Sequence, residues 1–328
     1  MNTRDPGLGV TLDDVRAAAA RIGPFIRRTP VLTSRYFDER IGARLFFKCE
    51  NFQRVGAFKF RGATNAVRLL TADQAQRVVV THSSGNHAQA LAAAARARNI
   101  RATIVMPRNA PAVKRDAVAG YGATIVECEP TLAARESTTD EIIARTGATL
   151  VHPYDNHHII AGQGTAALEL LEDAGPLDFV VAPVGGGGLL AGTALVTTEL
   201  VRGVQVWGAE PSGADDAHRS LAAGRVIPSE NPDTIADGLL TSLGERNFRI
   251  LSERVTQIAT VDDEQTIQAM RLVFERMKIV IEPSAAVAVA VVLDRAQQLA
   301  GSRVGIILSG GNVDVARLPW MADKGAKD

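Results

Sequence analysis

Short runs of β-branched residues alternate along this chain with longer alanine-rich or amphipathic segments, and this alternation constrains the fold more than any other feature. It predicts strands over Arg77–His82, Arg101–Met106, Thr124–Cys128, Thr149–His152, Asp178–Val184, Gln205–Glu210 and Arg303–Ser309. It predicts helices over Asn86–Arg98, Ala112–Gly120, Thr131–Thr146, Gly162–Ala174, Leu189–Val201 and Glu264–Lys278. Because strands that alternate with helices pair in parallel, the pattern predicts an α/β protein whose sheet is covered on both faces.

A further helix is predicted to begin directly after Thr11. The Thr11 hydroxyl can accept a hydrogen bond from the first turn, and Asp13 and Asp14 lie where the helix dipole favours negative charge.

The composition argues against several classes of partner. A length of 328 residues suggests roughly two domains. The 36 Lys and Arg residues equal the 36 Asp and Glu residues, and aromatic residues make up 5% of the chain. A nucleic-acid partner usually requires a basic excess or aromatic stacking platforms, so none is expected. Cys49 and Cys128 are too few for a disulfide scaffold or a four-thiolate metal site.

One uncharged stretch, residues 179–198, is long enough to cross a bilayer about 30 Å thick. Pro183 and the glycines at 185–188 would interrupt a spanning helix, so a buried strand, a glycine turn and a buried helix explain the stretch better. The N-terminal residues lack the apolar run of a signal peptide. We therefore expect no membrane partner and a cytoplasmic location.

Ligands of parallel sheets bind beyond the carboxyl ends of the strands, so the loops that follow the strands are the candidate sites. The first unusual loop is His82-Ser83-Ser84-Gly85-Asn86-His87. Its hydroxyls, carboxamide and backbone N–H groups at a helix start suit a carboxylate. Alternatively, Ser83 or Ser84 simply caps the helix.

The second unusual loop consists of four consecutive glycines, Gly185 to Gly188. Their backbone can approach a phosphate group closely, and the following helix adds an attractive dipole. The dinucleotide pattern G-x-G-x-x-G fails, and no Walker A motif exists. The loop is therefore a phosphate site for a smaller cofactor or a structural turn. A third loop, Ser309-Gly310-Gly311-Asn312, offers a hydroxyl to a ring nitrogen, but its signal is weak by itself.

The segment Gly56-Ala57-Phe58-Lys59-Phe60-Arg61-Gly62 places a lysine between aromatic residues and glycines. Partial desolvation in such a setting lowers the lysine pKa and favours attack on a carbonyl carbon. From these seven residues alone, a surface lysine at a helix start explains the pattern equally well.

Taken together, the four motifs resemble those of the fold type II pyridoxal-phosphate enzymes, in their order and approximate spacing, and within these the serine/threonine dehydratase and serine racemase branch. The resemblance covers residues 11–318. It implies the tryptophan synthase β-like fold, with two three-layer α/β/α domains, each built on a parallel sheet, and the cofactor in the cleft between them. Residues 1–74 and 151–328 would form the large cofactor-binding domain. Residues 75–150 would form a small inserted domain that carries the loop for the substrate carboxylate.

The resemblance implies that Lys59 binds pyridoxal 5'-phosphate covalently. The other implied cofactor contacts are Phe58 against the ring, Asn86 at the 3-hydroxyl oxygen, Ser309 at the pyridine nitrogen, and the phosphate site of Gly185, Gly186, Gly187, Gly188 and the Leu189 amide. A neutral serine at the pyridine nitrogen makes the ring a weaker electron sink, which fits β-elimination or racemisation better than transamination.

The same resemblance implies a dehydratase that removes ammonia from a β-hydroxy amino acid such as L-serine, L-threonine or threo-3-hydroxyaspartate. Lys59 would remove the Cα proton, and loss of the β-hydroxyl would end in a 2-oxo acid and ammonia. The implied substrate-binding residues are Ser83, Ser84, Asn86, His87, Arg135 and Ser242. Arg135 could equally be a solvated helix residue, since the predicted helix around it is rich in charge.

Two features bear on the branch within this family. Ser84 resembles the second catalytic residue of the racemases, which reprotonates Cα from the opposite face, so a serine racemase with side elimination activity is the alternative. Ala57 replaces a serine of many relatives, and residues 51–60 resemble threo-3-hydroxyaspartate ammonia-lyases more than threonine dehydratases. A second substrate carboxylate would need a cation, which Arg135, His152 or His157 could supply.

Residues 210–216 resemble the divalent-cation loop of the racemase-like branch. Glu210, the Ala214 carbonyl and Asp216 would form an all-oxygen ligand set suited to Mg²⁺ or Ca²⁺. The alternative is a solvated acidic loop. Glu282 resembles a position near the cofactor ring, where it could tune reactivity or cap the helix that follows Pro283. The implied assembly is a homodimer with a small amino-acid substrate.

Two other classes of protein remain as alternatives. A nicotinamide-linked oxidoreductase would use a similar sheet, but the failed glycine pattern argues against it. A non-catalytic amino-acid-binding protein would leave Lys59 without a reason to lie in its motif. A visible absorption band from a bound cofactor, lost in Lys59→Ala, separates both classes from the enzyme.

Overall fold

The structure, a computed structural model, describes residues 9–110 and 112–324. Its strands are β1 (Val31–Leu32), β2 (Arg44–Cys49), β3 (Val78–His82), β4 (Arg101–Pro107), β5 (Thr124–Cys128), β6 (Thr149–Leu150), β7 (Phe179–Pro183), β8 (Gln205–Pro211), β9 (Gln257–Val261) and β10 (Arg303–Leu308). Its α-helices are α1 (Leu12–Ile22), α2 (Arg35–Ile41), α3 (Lys59–Arg68), α4 (Ala72–Gln76), α5 (Asn86–Arg96), α6 (Ala112–Gly120), α7 (Leu132–Thr146), α8 (His157–Ala174), α9 (Gly188–Leu200), α10 (Asp216–Ala223), α11 (Glu245–Arg254), α12 (Asp263–Met277), α13 (Pro283–Asp294) and α14 (Ala296–Leu299).

The larger sheet has the strand order β1-β2-β10-β7-β8-β9, and every pairing in it is parallel except that of β1 with β2. Successive side chains of a strand point to opposite faces. Val181 of β7 accordingly packs with α12 and α13, whereas Val180 and Ala182 pack with α1, α8 and α9. Both faces are therefore buried, which gives the predicted three layers.

The smaller sheet has the order β5-β4-β3-β6 and is parallel throughout. Helices α3 and α5 cover one face, where Val79 lies, and α7 covers the face of Val80. All four strands come from residues 78–150. Phe60 and Val67 of α3 join the core of this sheet, although the predicted division counts them with the large domain. That division, at residues 74 and 150, stays a prediction.

Helix α8 holds the two sheets together through close contacts at glycines. A Cβ atom on Gly162 would lie 2.6 Å from the Cα atom of Gly62 in α3. On the other side, a Cβ atom on Gly192 of α9 would lie 2.6 Å from the backbone nitrogen of Gly164. Only glycine permits so close an approach of helix backbones, so α3 is fixed against the larger unit from its first turns onward.

Three fully buried charged side chains and the largely buried Glu169 join the start of α3 to α8, and we call these four the buried ion network. Arg61, two residues after Lys59, donates to both carboxylate oxygens of Glu50 at 2.7 Å and to both of Glu169 at 2.8 Å. Lys48 donates to Glu169 at 2.6 Å. The Arg61, Lys48 and Glu50 side chains have no exposed surface. Two positive and two negative charges thus satisfy one another beneath the start of α3.

Several sequence predictions are confirmed where the signal is local. Thr11 caps α1 and forms a reciprocal capping box with Asp14. The uncharged stretch at 179–198 forms strand β7, the glycine turn and most of α9, as predicted. In the described part of the chain, no helix combines the length and the apolar character that crossing a bilayer requires.

Most predicted boundaries differ from the structure by one or two residues or agree with it, and two of the differences have a clear local cause. The strand predicted over Thr149–His152 ends at Leu150, because the chain turns sharply at residues 152–155. The helix predicted from Gly162 begins five residues earlier, at His157, because the Asn156 side chain caps it by accepting from the backbone of His158 and Ile159. The elements that were not predicted include strands β1, β2 and β9 and helices α2, α3, α4, α10, α11 and α14.

Candidate active site

Lys59 lies where three of the four sequence motifs meet. It is the first residue of α3, and the preceding residue Phe58 donates its backbone N–H to the Ser309 carbonyl at 3.0 Å. An isolated bridge pairs Ala57 with Gly310. The structure therefore places the third loop directly against the lysine segment, although the two are about 250 residues apart in sequence.

The Lys59 side chain is held in a partly buried pocket. Its Nζ atom donates to the Pro153 carbonyl at 2.8 Å, and it lies 5.2 Å and 6.0 Å from the ring centroids of Phe58 and Tyr154. Burial lowers the pKa of Lys59 to about 8, although the Glu282 carboxylate opposes that shift. A larger fraction of the amine is therefore unprotonated at neutral pH than in an exposed lysine, as nucleophilic attack and proton removal both require.

The tetraglycine loop forms an anion cradle at the start of α9. Gly187 has φ +93°, which favours glycine, and it provides no side-chain cap for the helix. In the described part of the chain, no protein group accepts from the backbone N–H groups of residues 185–189. A Cβ atom on Gly186 would lie 2.3 Å from the Tyr154 ring. The loop therefore offers several unsatisfied donors in a space that side chains would fill, and a phosphate group fits it.

The Ser83–His87 loop forms a second cradle, at the start of α5. Gly85 occupies the cap position and makes no side-chain cap hydrogen bond, so neither serine caps the helix. Ser83 Oγ instead accepts from the Gly85 N–H at 3.3 Å. The alternative in which Ser83 or Ser84 caps the helix is therefore wrong, and the first N–H groups of α5 remain available to a carboxylate.

Asn86 belongs to a polar network that sequence reasoning did not reveal. Its amide nitrogen donates to both carboxylate oxygens of Glu282, at 2.8 Å and 3.1 Å. Its amide oxygen accepts from Asn312 at 2.8 Å. Glu282 precedes α13 but its side chain does not cap that helix, so the capping alternative is wrong. Burial raises the pKa of Glu282 to about 7, so this carboxyl can change protonation near neutral pH.

His87 is buried beside this loop. Its Nε2 atom lies 3.0 Å from the Val151 carbonyl and must carry the proton of that hydrogen bond, which leaves Nδ1 as a buried acceptor without a partner. Burial lowers its pKa to about 3, so the ring is neutral. A neutral acceptor does not bind a carboxylate in this conformation, and the substrate contact of His87 stays a prediction.

The turn at residues 152–155 connects Lys59 to both cradles and was not recognised from sequence. His152 folds it, since Nδ1 accepts from the backbone of Tyr154 and Asp155 at 3.3 Å and 2.8 Å. The Asp155 carboxylate accepts backbone N–H groups at the start of α11. Asn247 of α11 donates to the carbonyls of Tyr154 and Gly186. The turn therefore fixes the position of the Pro153 carbonyl against Lys59.

The remaining predicted substrate residues lie at different places. Arg135 is partly buried in the first turn of α7, where its charge acts on His82 beside the first loop. Ser242 accepts from the backbone of Ser229 at 3.0 Å. His157 lies 3.4 Å from Asp14, against α1 rather than at the strand ends, so it does not supply the second cation. The substrate contacts of Arg135, Ser242, Ser83, Ser84 and Asn86 stay predictions.

The predicted cation loop follows β8. Both Glu210 oxygens accept backbone N–H groups from α10, at 2.9 Å from Ala217 and 2.8 Å from His218. One Asp216 oxygen accepts from Leu243 at 2.8 Å, and the other is buried without a partner. Burial raises the pKa of Glu210 to about 9 and that of Asp216 to about 6. The pair is thus not the solvated acidic loop of the alternative interpretation.

No cluster of three or more His, Cys, Asp or Glu side chains that could hold a metal ion occurs in residues 9–110 and 112–324. An oxygen site at residues 210–216 would depend on two carboxylates and a carbonyl.

Comparisons with known proteins point to one family. The family described as "Pyridoxal-phosphate dependent enzyme" matches residues 22–310. The chain is 50% identical to the beta-hydroxyaspartate dehydratase of Paracoccus denitrificans, over 94% of this chain and 98% of the relative. It is 48% identical to the L-threo-3-hydroxyaspartate ammonia-lyase of Saccharomyces cerevisiae, over 94% of each. The crystal structure of the serine racemase from Dictyostelium discoideum matches with a TM-score of 0.90 and 47% identity, over 93% of this chain and 99% of that one.

Proposed function

The chain belongs to the family of pyridoxal-phosphate-dependent enzymes, and from this premise we propose that it is an ammonia-lyase that converts 3-hydroxyaspartate to a 2-oxo acid and ammonia. The observation that carries the proposal is the position of Lys59, an amine with a lowered pKa between two backbone anion cradles. One cradle suits a phosphate and the other a carboxylate. A lyase of this class needs the amine, the phosphate site and the carboxylate site around the substrate Cα.

The residues present fit pyridoxal 5'-phosphate. Lys59 would hold its carbonyl carbon, residues 185–189 its phosphate through unsatisfied N–H groups, and Phe58 one face of its ring. The Ser309 hydroxyl would meet the ring nitrogen, and Asn86 the 3-hydroxyl oxygen. When bound, the cofactor supplies an electron sink that stabilises negative charge at the substrate Cα.

The protein's own groups would perform the binding and proton transfers. The Lys59 amine removes the Cα proton, which is the task that a lysine with a pKa near neutrality does best. The start of α5, with Ser83 and Asn86, holds the α-carboxylate. The β-hydroxyl leaves as water, a later hydration returns one water, and ammonia departs. Together these steps convert 3-hydroxyaspartate to oxaloacetate and ammonia with atoms balanced.

The first test is release of 2-oxo acid and ammonia from 3-hydroxyaspartate, L-serine and L-threonine by the holoenzyme. We expect kcat/KM to be highest for 3-hydroxyaspartate, because Arg135 makes no ion pair within the described residues and can neutralise a second carboxylate. No release from any of the three substrates would contradict the lyase. Faster release from L-threonine than from 3-hydroxyaspartate would contradict the proposed substrate.

Serine racemisation is the second candidate, and Ser84 supports it. The hydroxyl of Ser84 has no hydrogen-bond partner among the described residues and caps no helix, so it is available to donate a proton to Cα. Chiral analysis of L-serine left after incubation separates the two activities. Formation of D-serine faster than pyruvate would make racemisation the main reaction.

We further propose that Glu210, the Ala214 carbonyl and Asp216 bind Mg²⁺ or Ca²⁺. The buried Asp216 oxygen without a partner supports this, as does the Ala214 carbonyl, which accepts no hydrogen bond within the described residues. A hard cation would satisfy both and offset the cost of burying two carboxylates.

Removal of divalent cations with a chelator is therefore expected to lower the thermal midpoint, and millimolar Mg²⁺ or Ca²⁺ to restore it. Since protons compete for carboxylates whose pKa is raised, the restoration should be larger near pH 8 than near pH 6. Asp216→Asn serves as the matched variant and should melt at the same temperature with and without the cation. A wild-type thermal midpoint that changes neither with the chelator nor with the added cation would contradict the site.

The proposed assembly is a homodimer in the cytoplasm. Cys49 and Cys128 are both free and buried, which suits a reducing compartment. Light scattering of the purified holoenzyme measures the mass directly.

A further inference from the structure

Two histidines lie side by side where the smaller sheet meets the Lys59 pocket. His82 ends β3, and His152 begins the turn at residues 152–155. Their ring centroids are 5.9 Å apart and the rings meet edge to face. The residue after His152 is Pro153, whose carbonyl accepts from Lys59. His152 therefore directly precedes the residue whose carbonyl holds the Lys59 amine.

The backbone fixes the proton of His152 on one ring nitrogen. Nδ1 accepts two N–H groups, from Tyr154 and Asp155, so it cannot carry a proton itself. Burial lowers the pKa of His152 to about 4, so the ring is neutral and the single proton lies on Nε2. No described residue accepts from Nε2, and this atom is not sealed from solvent. His152 thus presents one oriented donor without a protein partner.

His82 continues the same polar surface toward Arg135. Neither of its ring nitrogens has a hydrogen-bond partner in the described residues, and burial lowers its pKa. The positive charge of Arg135 acts on His82, as do the negative charges of Glu136 and Asp140 in the next turn of α7, both exposed. Arg135 forms no ion pair with either carboxylate. An unpaired guanidinium and two histidines with free ring nitrogens are an arrangement that an anion would complete.

We infer that His82 and His152 form a second anion subsite, next to Arg135, which binds the β-carboxylate of a four-carbon dicarboxylic amino acid and selects it over L-serine. This inference rests on the proposed ammonia-lyase function. The donors at the start of α5 remain for the α-carboxylate, so the two carboxylates of the substrate use different donors of neighbouring residues. A substrate with a hydrogen or methyl group in place of the second carboxylate leaves the histidine donors unused and loses their contribution.

The test uses two variants that remove the donors and keep the packing. His152→Asn retains an oxygen where Nδ1 accepts the two backbone N–H groups but has no atom at Nε2. His82→Phe keeps a ring edge against His152 and touches no backbone hydrogen bond. The control is His158→Asn, which changes an exposed histidine of α8. Thermal melting establishes that each variant is folded.

We expect each variant to raise the KM for 3-hydroxyaspartate about tenfold or more, because hydrogen bonds to a charged group are lost. The KM for L-serine should stay within about twofold, and His158→Asn should match the wild type for both substrates. Binding of L-aspartate and L-alanine, followed through the visible spectrum of the holoenzyme, is a second measurement that needs no turnover. The affinity for L-aspartate should fall, and that for L-alanine should not.

An unchanged preference for 3-hydroxyaspartate over L-serine in both variants would overturn the inference. An equal loss of kcat for both substrates would also overturn it, because the histidines would then act on a part of the substrate that both molecules share. A wild-type enzyme that releases no 2-oxo acid would instead refute the proposed function. In that case the comparison of L-aspartate with L-alanine still decides whether the subsite exists.

Discussion

Replacing Lys59 with alanine is expected to abolish the covalent attachment of the cofactor and to lower the lyase rate by about 10³-fold or more. The effect is large because one amine serves two purposes, as the group that holds the cofactor and as the base that takes the Cα proton. Its Nζ atom makes its hydrogen bond to Pro153 in a pocket that lowers its pKa to about 8. No other lysine contacts either cradle in the described residues.

The measurement is the visible absorption band of the purified protein, before and after borohydride treatment, together with 2-oxo acid release. Lys59→Arg is the matched control, since it keeps the positive charge and most of the length but cannot form the covalent bond. Both variants should lack the band that survives dialysis. A persistent band in either variant, with activity near that of the wild type, would show that another residue holds the cofactor.

Replacing Arg61 with methionine is expected to lower the free energy of unfolding by about 3–5 kcal/mol, the second largest effect. The guanidinium has no exposed surface and satisfies both oxygens of Glu50 and of Glu169. Methionine has a similar volume, so the loss comes from two buried carboxylates left without their main partner rather than from a cavity.

Urea denaturation of the holoenzyme and of the variant measures this loss as a shift of the midpoint. Arg16→Met is the control, because Arg16 forms an exposed pair with Asp13 at 3.6 Å and should contribute less than about 1 kcal/mol. Equal midpoints for the two variants would mean that the buried ion network contributes no more to stability than a surface pair.

Sequence patterns predicted those features of the fold that depend on neighbouring residues. Thr11 and Asp14 are three residues apart, so the capping box follows from local chemistry. The glycine run at 185–188 predicted a turn before a helix, which the structure shows, because such a turn needs no distant partner, whereas its use as a phosphate site stays a prediction. Strand β2 escaped prediction because Lys48 interrupts its apolar run, and that lysine is buried only because Glu169 lies against it.

The unpredicted parts of the candidate site depend on contacts between distant segments. Asn86 meets Glu282 across 196 residues, and no local pattern indicates that a residue before a proline would face the first loop. The predicted strand ran to His152, where the turn begins, because the hydrogen bonds of the turn to the His152 side chain cannot be read from a hydropathy pattern. The order of motifs along the chain indicated Lys59 and the three loops, and the folded chain added the Pro153 carbonyl and the contact of Asn86 with Glu282.

The buried ion network also restricts how this chain can change over generations. Lys48, Glu50, Arg61 and Glu169 come from three elements and the segment that follows β2, and their charges cancel only as a set. A substitution at one of them leaves a buried charge uncompensated, so the cost of each change depends on the identity of the other three. Homologous chains that depart from this pattern should therefore differ at two or more of the four positions together, and the effects of single substitutions should be strongly non-additive.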